Sequence, residues 1–131
     1  MNNLPEFQFS RLGRERAEHA EEGKLTLQRC HDCGVVQYPC AEVCQRCLSA
    51  DLHWSRVDGS GVILGTVHVH ASLDAFFREH APWQICSVML DAGPRVVSHA
   101  QDGDLEPGRE VCVVDRCIGT KYSVLVARAK W

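Results

Sequence analysis

Apolar and polar positions change rhythm twice along this chain. Residues 11 to 22, Arg-Leu-Gly-Arg-Glu-Arg-Ala-Glu-His-Ala-Glu-Glu, are good helix formers apart from Gly13, and Gly23 supplies a stop. The apolar stripe is thin: Leu12, Ala17 and Ala20, with Phe7 and Phe9 just ahead. Such a helix cannot hold itself by burial. Residues 1–24 are therefore expected to form a helical arm, either solvated and frayed or docked on a partner through Phe7, Phe9 and Leu12. Leu25–Arg29 and Val35–Tyr38 read as two short strands, the second stopping at Pro39. From Trp54 onward the pattern is one of strands and turns. Gly61–His70 is a long strand interrupted by Gly65, which predicts a bulge or bend. Trp83–Leu90 follows, then a turn at Asp91-Ala-Gly-Pro94, then Arg95–Ala100. After a turn at Glu106-Pro-Gly108, Glu110–Asp115 and Tyr122–Ala127 make the last pair. Five strands with a long, bent first one and a lone insertion near residues 71–82 predict a five-stranded OB-fold barrel. The expected architecture is mainly β: the arm over 1–24, a cysteine-bearing ribbon over 25–53 and the barrel over 54–131.

Composition narrows the setting. With 131 residues, 45% of them hydrophobic and 24% charged, the chain is sized and composed for one ordinary globular domain or a small domain with an appendage. No apolar run approaches the ~20 residues of a membrane span. The N-terminus, Met1-Asn-Asn-Leu-Pro-Glu6, lacks the basic and apolar regions of a signal peptide. The expectation is a cytoplasmic protein without membrane contact, in which eight cysteines are metal ligands and core residues rather than disulfides. The net charge of −3 argues against nucleic acid as a partner, because such binding rests on basic residues neutralising phosphates.

The cysteine spacing carries the chemistry. Cys30-His-Asp-Cys33 and Cys44-Gln-Arg-Cys47 each place two thiolates on one small cation, and together they complete a tetrahedral shell. Gly34, directly after the first pair, suits the positive φ of a metal knuckle. Strand, knuckle, strand, loop and knuckle is the zinc-ribbon layout. A segment this small has no core of its own, so the metal supplies its folding free energy. The expected metal ligands are Cys30, Cys33, Cys44 and Cys47, holding structural Zn2+; an iron site of the rubredoxin type uses the same ligands. A closed shell leaves no open position for substrate. Cys40 reads as a bystander thiol or an alternative ligand.

Other candidates are each balanced by a plainer reading. Cys86, Cys112 and Cys117 lie in or beside strands, where small buried hydrophobes explain them as well as reactive thiols do. His68 and His70 project from one strand face, as metal ligands, an acid–base pair or a solvated face. The 71–83 segment concentrates Phe76, Phe77 and Trp83, read as a partner interface or as a lid on the barrel. There is no phosphate loop, no G-x-S-x-G elbow and no H-E-x-x-H.

One further pattern is specific. Cys30-x-x-Cys33-Gly34-x-x-Gln37-Tyr38-Pro39, Cys44-x-x-Cys47-x-Ser49, Leu52-x-Trp54, Gly59-Ser-Gly61, Thr66-Val67-x-x-His70 and Leu90-Asp91-x-Gly93-x-Arg95 together resemble the DUF35 family of zinc-ribbon plus OB-fold proteins. The likeness runs from about residue 5 to the end. It departs at Cys40, where relatives commonly have another residue, and from Cys112 to Tyr122. The resemblance implies a non-catalytic accessory subunit of a thiolase-superfamily complex acting on acyl-CoA, by thiolytic, acyltransfer or retro-aldol chemistry. It implies a thiolase-like large subunit as partner, an α2β2 assembly, acyl-CoA at the shared interface and no catalytic residue in this chain. The competing expectations are a zinc-ribbon/OB-fold nucleic-acid binder and a self-sufficient enzyme using Cys86 or the His68/His70 face.

Overall fold

A computed structural model describes residues 10–70, 83–101, 105–118 and 122–130. The first element, α1 (Arg11–His19), begins where Ser10 has an extended backbone and its hydroxyl accepts the Gly13 N–H at 3.2 Å. Arg16 and Ala17 are buried on the inner face. The helix is therefore not a solvated, frayed arm. What holds it is a charge, Arg16, rather than an apolar stripe, which is why hydrophobic periodicity alone left it loose.

Three strands form the ribbon sheet: β1 (Leu25–Cys30), β2 (Val36–Gln37) and β3 (Leu52–Val57), antiparallel in the order β2-β1-β3. The central strand alternates in chemistry but not in burial. Leu25 and Leu27 enter the apolar core, while Thr26 and Gln28, also buried, find polar partners. β3 was not expected as a strand. It is half-buried over nearly all its length, so Leu52-His-Trp-Ser-Arg-Val57 lacks the period-two contrast that marks one. It also crosses the point, between residues 53 and 54, where ribbon was expected to give way to barrel.

The remaining strands are β4 (Ser60–Val69), β5 (Trp83–Leu90), β6 (Arg95–Ala100), β7 (Glu110–Ile118) and β8 (Tyr122–Ala129). They close into a barrel in the order β4-β5-β6-β8-β7, with β6 and β8 parallel and the other neighbours antiparallel. The β4–β5 register shifts between Ile63 and Gly65, the irregularity that a glycine inside the long first strand predicts. Ile63, Val88, Val96, Val111, Val113 and Ala127 fill the barrel, and Leu25, Leu27 and Val36 of the ribbon join the same core. Burying each of those three side chains contributes about 1.5–3 kcal/mol, so the ribbon sheet is welded to the barrel rather than tethered to it.

The crossing from β3 to β4 leaves no room for a side chain. A Cβ on Gly59 would lie 1.9 Å from the Val113 carbonyl oxygen, and the Val113 N–H donates to the Gly59 carbonyl at 2.8 Å. Two residues on, a Cβ on Gly61 would meet the Met89 carbonyl oxygen at 2.5 Å. Gly59→Ala is expected to destabilise the chain by about 3 kcal/mol through this overpacking, read as a lower urea midpoint. An unchanged midpoint would mean that β7 yields to the methyl group.

Candidate metal centre and the clefts beside it

The Sγ atoms of Cys30, Cys33, Cys44 and Cys47 all lie within 4.8 Å of one another. Among the described residues they are the only group of three or more ligating side chains gathered in this way. Around a tetrahedral ion with bonds of ~2.3 Å, sulfurs stand roughly 3.8 Å apart. Cys30 and Cys47 are 3.6 Å apart, as are Cys33 and Cys44. The donor set and its spacing fit a soft four-coordinate ion such as Zn2+.

The two knuckles repeat one backbone design. In the first, Gly34 N–H donates to the Cys30 carbonyl at 2.9 Å, and Cys30 N–H to the Val35 carbonyl at 3.0 Å. In the second, Leu48 N–H donates to the Cys44 carbonyl at 3.0 Å, and Cys44 N–H to the Ser49 carbonyl at 2.7 Å. Leu48 thus occupies the place of Gly34. Both have positive φ, +66° and +78°. Gly34 was expected to need this conformation; Leu48 carries it against the cost of a Cβ, and its side chain is 74% exposed. Leu48→Gly is expected to raise stability by about 0.5–1 kcal/mol, the left-handed strain relieved less the added freedom of glycine when unfolded. A thermal melt reads this, and a lowered melting point would mean that Leu48 has packing its exposure hides.

Backbone N–H groups also reach one sulfur of the candidate centre. Those of Cys47 and Arg46 point at Cys44 Sγ, 3.4 and 3.3 Å away, and hold this thiol down from 9.0 to about 6. Its partner Cys47 is pushed the other way, up to about 12, by desolvation and by the neighbouring thiols, so the second knuckle favours one thiolate and keeps one proton for an arriving cation to displace.

The glutamine of the Gly-x-x-Gln-Tyr-Pro string has a definite task. Gln37 is 3% exposed. Its Nε2 donates to Gln28 Oε1 at 2.9 Å and to the Val43 carbonyl at 3.3 Å, and its Oε1 accepts the Gln45 N–H at 2.8 Å. Gln28 in turn holds both the N–H and the carbonyl of Ala41. Two buried amides therefore fix the loop that delivers the second cysteine pair.

A second buried polar group, which nothing in the local pattern marks, joins the helix to both sheets. Asp115 on β7 is fully buried, and Arg16 Nη1 donates to its Oδ1 at 2.5 Å. Ser123 Oγ donates to the same oxygen at 2.8 Å, and the Thr26 N–H donates to Oδ2 at 3.0 Å. Arg16 also reaches the Thr26 carbonyl at 3.2 Å. A carboxylate 99 residues away from its arginine could be found only from the folded chain.

Between α1, the loop after β2 and the barrel lies a cleft of about 250 Å³, lined by Arg16, Tyr38, Cys40, His99 and Ser123 among others. Cys40 therefore stands outside the four-sulfur cluster and is not an alternative ligand there. Burial raises its thiol pKa and lowers that of the His99 imidazole. His99 Nδ1 accepts the Trp83 indole N–H at 2.8 Å, so the neutral ring carries its proton on Nε2. The pair is thus biased away from thiolate and imidazolium. Cys86 is fully buried in the barrel, and burial raises its thiol too.

Of the expected interface residues, Leu12 is half-buried in a groove against the ribbon, and one edge of Trp83 is occupied by His99. Phe7, Phe9, Phe76 and Phe77 lie outside the described residues. The His68 and His70 rings face each other with centroids 6.2 Å apart at the end of β4.

Similarities to known proteins accord with this geometry. Residues 17–53 match the family model described as the ChsH2 rubredoxin-like zinc ribbon domain. A curated relative, a DUF35 domain-containing scaffold protein of Methanocaldococcus jannaschii, is 28% identical over 75 residues, 56% of this chain. The match spans 52% of that relative, about half its length. Among solved structures, a chain of the Ltp2-ChsH2(DUF35) aldolase is similar with a TM-score of 0.71 at 21% identity, covering 95% of this chain and 98% of its own length. The four-cysteine ribbon, the five-stranded closed barrel behind it and these matches together support the DUF35 assignment that the sequence resemblance suggested.

Proposed function

We propose that this chain is a zinc-stabilised accessory subunit of a thiolase-superfamily complex acting on acyl-CoA, by thiolytic, acyltransfer or retro-aldol chemistry carried on the larger subunit. The observation that carries the reading is the extent of the likeness to a chain of the Ltp2-ChsH2(DUF35) aldolase, which covers 95% of this chain and 98% of that one. The candidate metal centre supports it. Four thiolates close the coordination shell, so the ion holds structure and offers substrate no vacant position. The thiols agree, since Cys86 is fully buried in the barrel and burial holds Cys40 toward the protonated form. The chain would scaffold the complex in the cytoplasm, as one half of an α2β2 assembly with acyl-CoA at the shared interface.

Co-expression with a thiolase-superfamily protein encoded beside it, followed by size-exclusion chromatography with mass determination, tests the reading. One peak containing both chains is expected. Two separate peaks would refute it.

A further inference from the structure

A groove of about 380 Å³ runs between ribbon and barrel. One wall is Val35, Val36, Gln37 and Tyr38, four consecutive residues. β2 itself is Val36 and Gln37 alone; the Val36 side chain enters the core and the Gln37 amide joins its buried network, so what these two residues present to the groove is backbone edge rather than a strand face. β2 is an outer strand, paired with β1 alone among the described residues. The opposite wall is the β5–β6 turn, Gly93, Pro94 and Arg95, and Gln45 and Arg46 of the second knuckle complete it.

The charge of this groove runs against that of the chain. Acidic residues outnumber Lys and Arg 17 to 14, yet two arginines and no carboxylate line it. Elsewhere Arg11, Arg16, Arg56 and Arg116 are each matched to a Glu or Asp, while the exposed Arg109 and Arg128 have no ion pair among the described residues. Arg46 and Arg95 are exposed and have no ion pair among the described residues.

We propose that this groove binds an extended acidic segment of a partner polypeptide, added as an outer strand along β2 with its carboxylates on Arg46 and Arg95. Strand addition supplies main-chain hydrogen bonds, and the guanidinium groups select acidic side chains and set the register. A small anion would use the arginines but has no use for a strand edge, so the wall formed by β2 favours the peptide. The inference rests on the reading that this chain has a protein partner, and not on which partner.

The test uses the full, metal-loaded chain and a fluorescent capped hexapeptide of alternating Glu and Val. Anisotropy titration at low salt should show binding that weakens with added salt. Arg46→Gln combined with Arg95→Gln should weaken it by roughly tenfold or more, the equivalent of ~1.4 kcal/mol. The same peptide with alternate backbone nitrogens methylated should also bind more weakly, a control that alters no residue of the protein. On peptide addition, amide signals of residues 35–38 and 93–95 should shift together. A Lys–Val hexapeptide should not bind.

Absence of binding, or equal binding by the double variant or by the methylated peptide, overturns the proposal. Binding of tripolyphosphate but not the peptide would make the groove a small-anion site. Self-association of the chain that the double variant abolishes would assign the groove to a second copy, and either result overturns the proposal. Each measurement is made on the isolated chain. Peptide binding without co-elution with a thiolase-like protein would therefore overturn the proposed function alone.

Discussion

Removing the metal, by a chelator or by Cys44→Ser, is expected to unfold residues 25–57 and to lower the melting temperature of the whole chain. Metal binding contributes on the order of 10–16 kcal/mol in small zinc modules, against a net stability of about 5–15 kcal/mol for an ordinary domain. Apart from the metal, the loops carrying the four cysteines are held by polar ties alone, the knuckle backbone bonds and the Gln28 and Gln37 amides, with no apolar core of their own. Loss of the ribbon also withdraws Leu25, Leu27 and Val36 from the shared core, so the barrel is destabilised with it. Hydrogen exchange should show protection disappearing first between residues 25 and 57. Retained protection there after the metal has gone would contradict the account. The effect has a pH counterpart. A Cys44 thiol held at about 6, below its ordinary value of 9.0, contributes stability that is present above that ordinary value and lost as pH falls through the folded one. A bound cation lowers the folded value further, so metal release is expected in acid, below about pH 6.

Asp115→Ala carries the second largest expected effect, a loss of about 3–5 kcal/mol. The cost comes from what remains behind. Arg16 would stay as a buried cation, and the Thr26 N–H and the Ser123 hydroxyl would lose their acceptor. Asp115→Asn keeps an acceptor for part of this set but not the opposite charge, so it should fall between the wild type and alanine. Replacing the pair together, Arg16→Met with Asp115→Leu, should cost much less than the sum of the single losses, because no unpaired charge is left. Urea denaturation of the wild type, Arg16→Met, Asp115→Leu and the double variant closes the cycle. Additive losses would show that Arg16 and Asp115 do not act as a pair. Hydrogen exchange adds a local reading: residues 11–19 should open in Asp115→Ala well before the barrel does.

These two sites differ in how far the chain announces them. The cysteine pairs are local in sequence, and their ligand chemistry allows few arrangements, so the gathering of four sulfurs and a positive φ at Gly34 could be read directly. β5 and β6 were legible end to end, because inward and outward residues alternate and a glycine–proline turn separates them. β7 was read as stopping at Asp115, since a carboxylate ordinarily marks a strand's exposed end; it continues to Ile118 because Arg16 meets that carboxylate inside the protein. The same pairing explains why α1 seemed unanchored. Leu48 escaped notice for another reason: glycine advertises a positive φ and leucine does not, although the second knuckle repeats the first bond for bond. The recognition string was readable as a family mark, but the reason for Gln37 within it appears only once Gln28, Val43 and Gln45 surround it.

On the proposed function, the four thiolates hold this chain in shape for a partner that does the chemistry. The most direct test follows assembly mass and acyl-CoA turnover together while a chelator is added to the reconstituted complex. Mass and turnover are predicted to fall in step as the ribbon unfolds and the subunit leaves, and to recover together when Zn2+ is restored. Turnover that stops while the complex stays intact would place the metal in the reaction itself and contradict the structural role of Cys30, Cys33, Cys44 and Cys47.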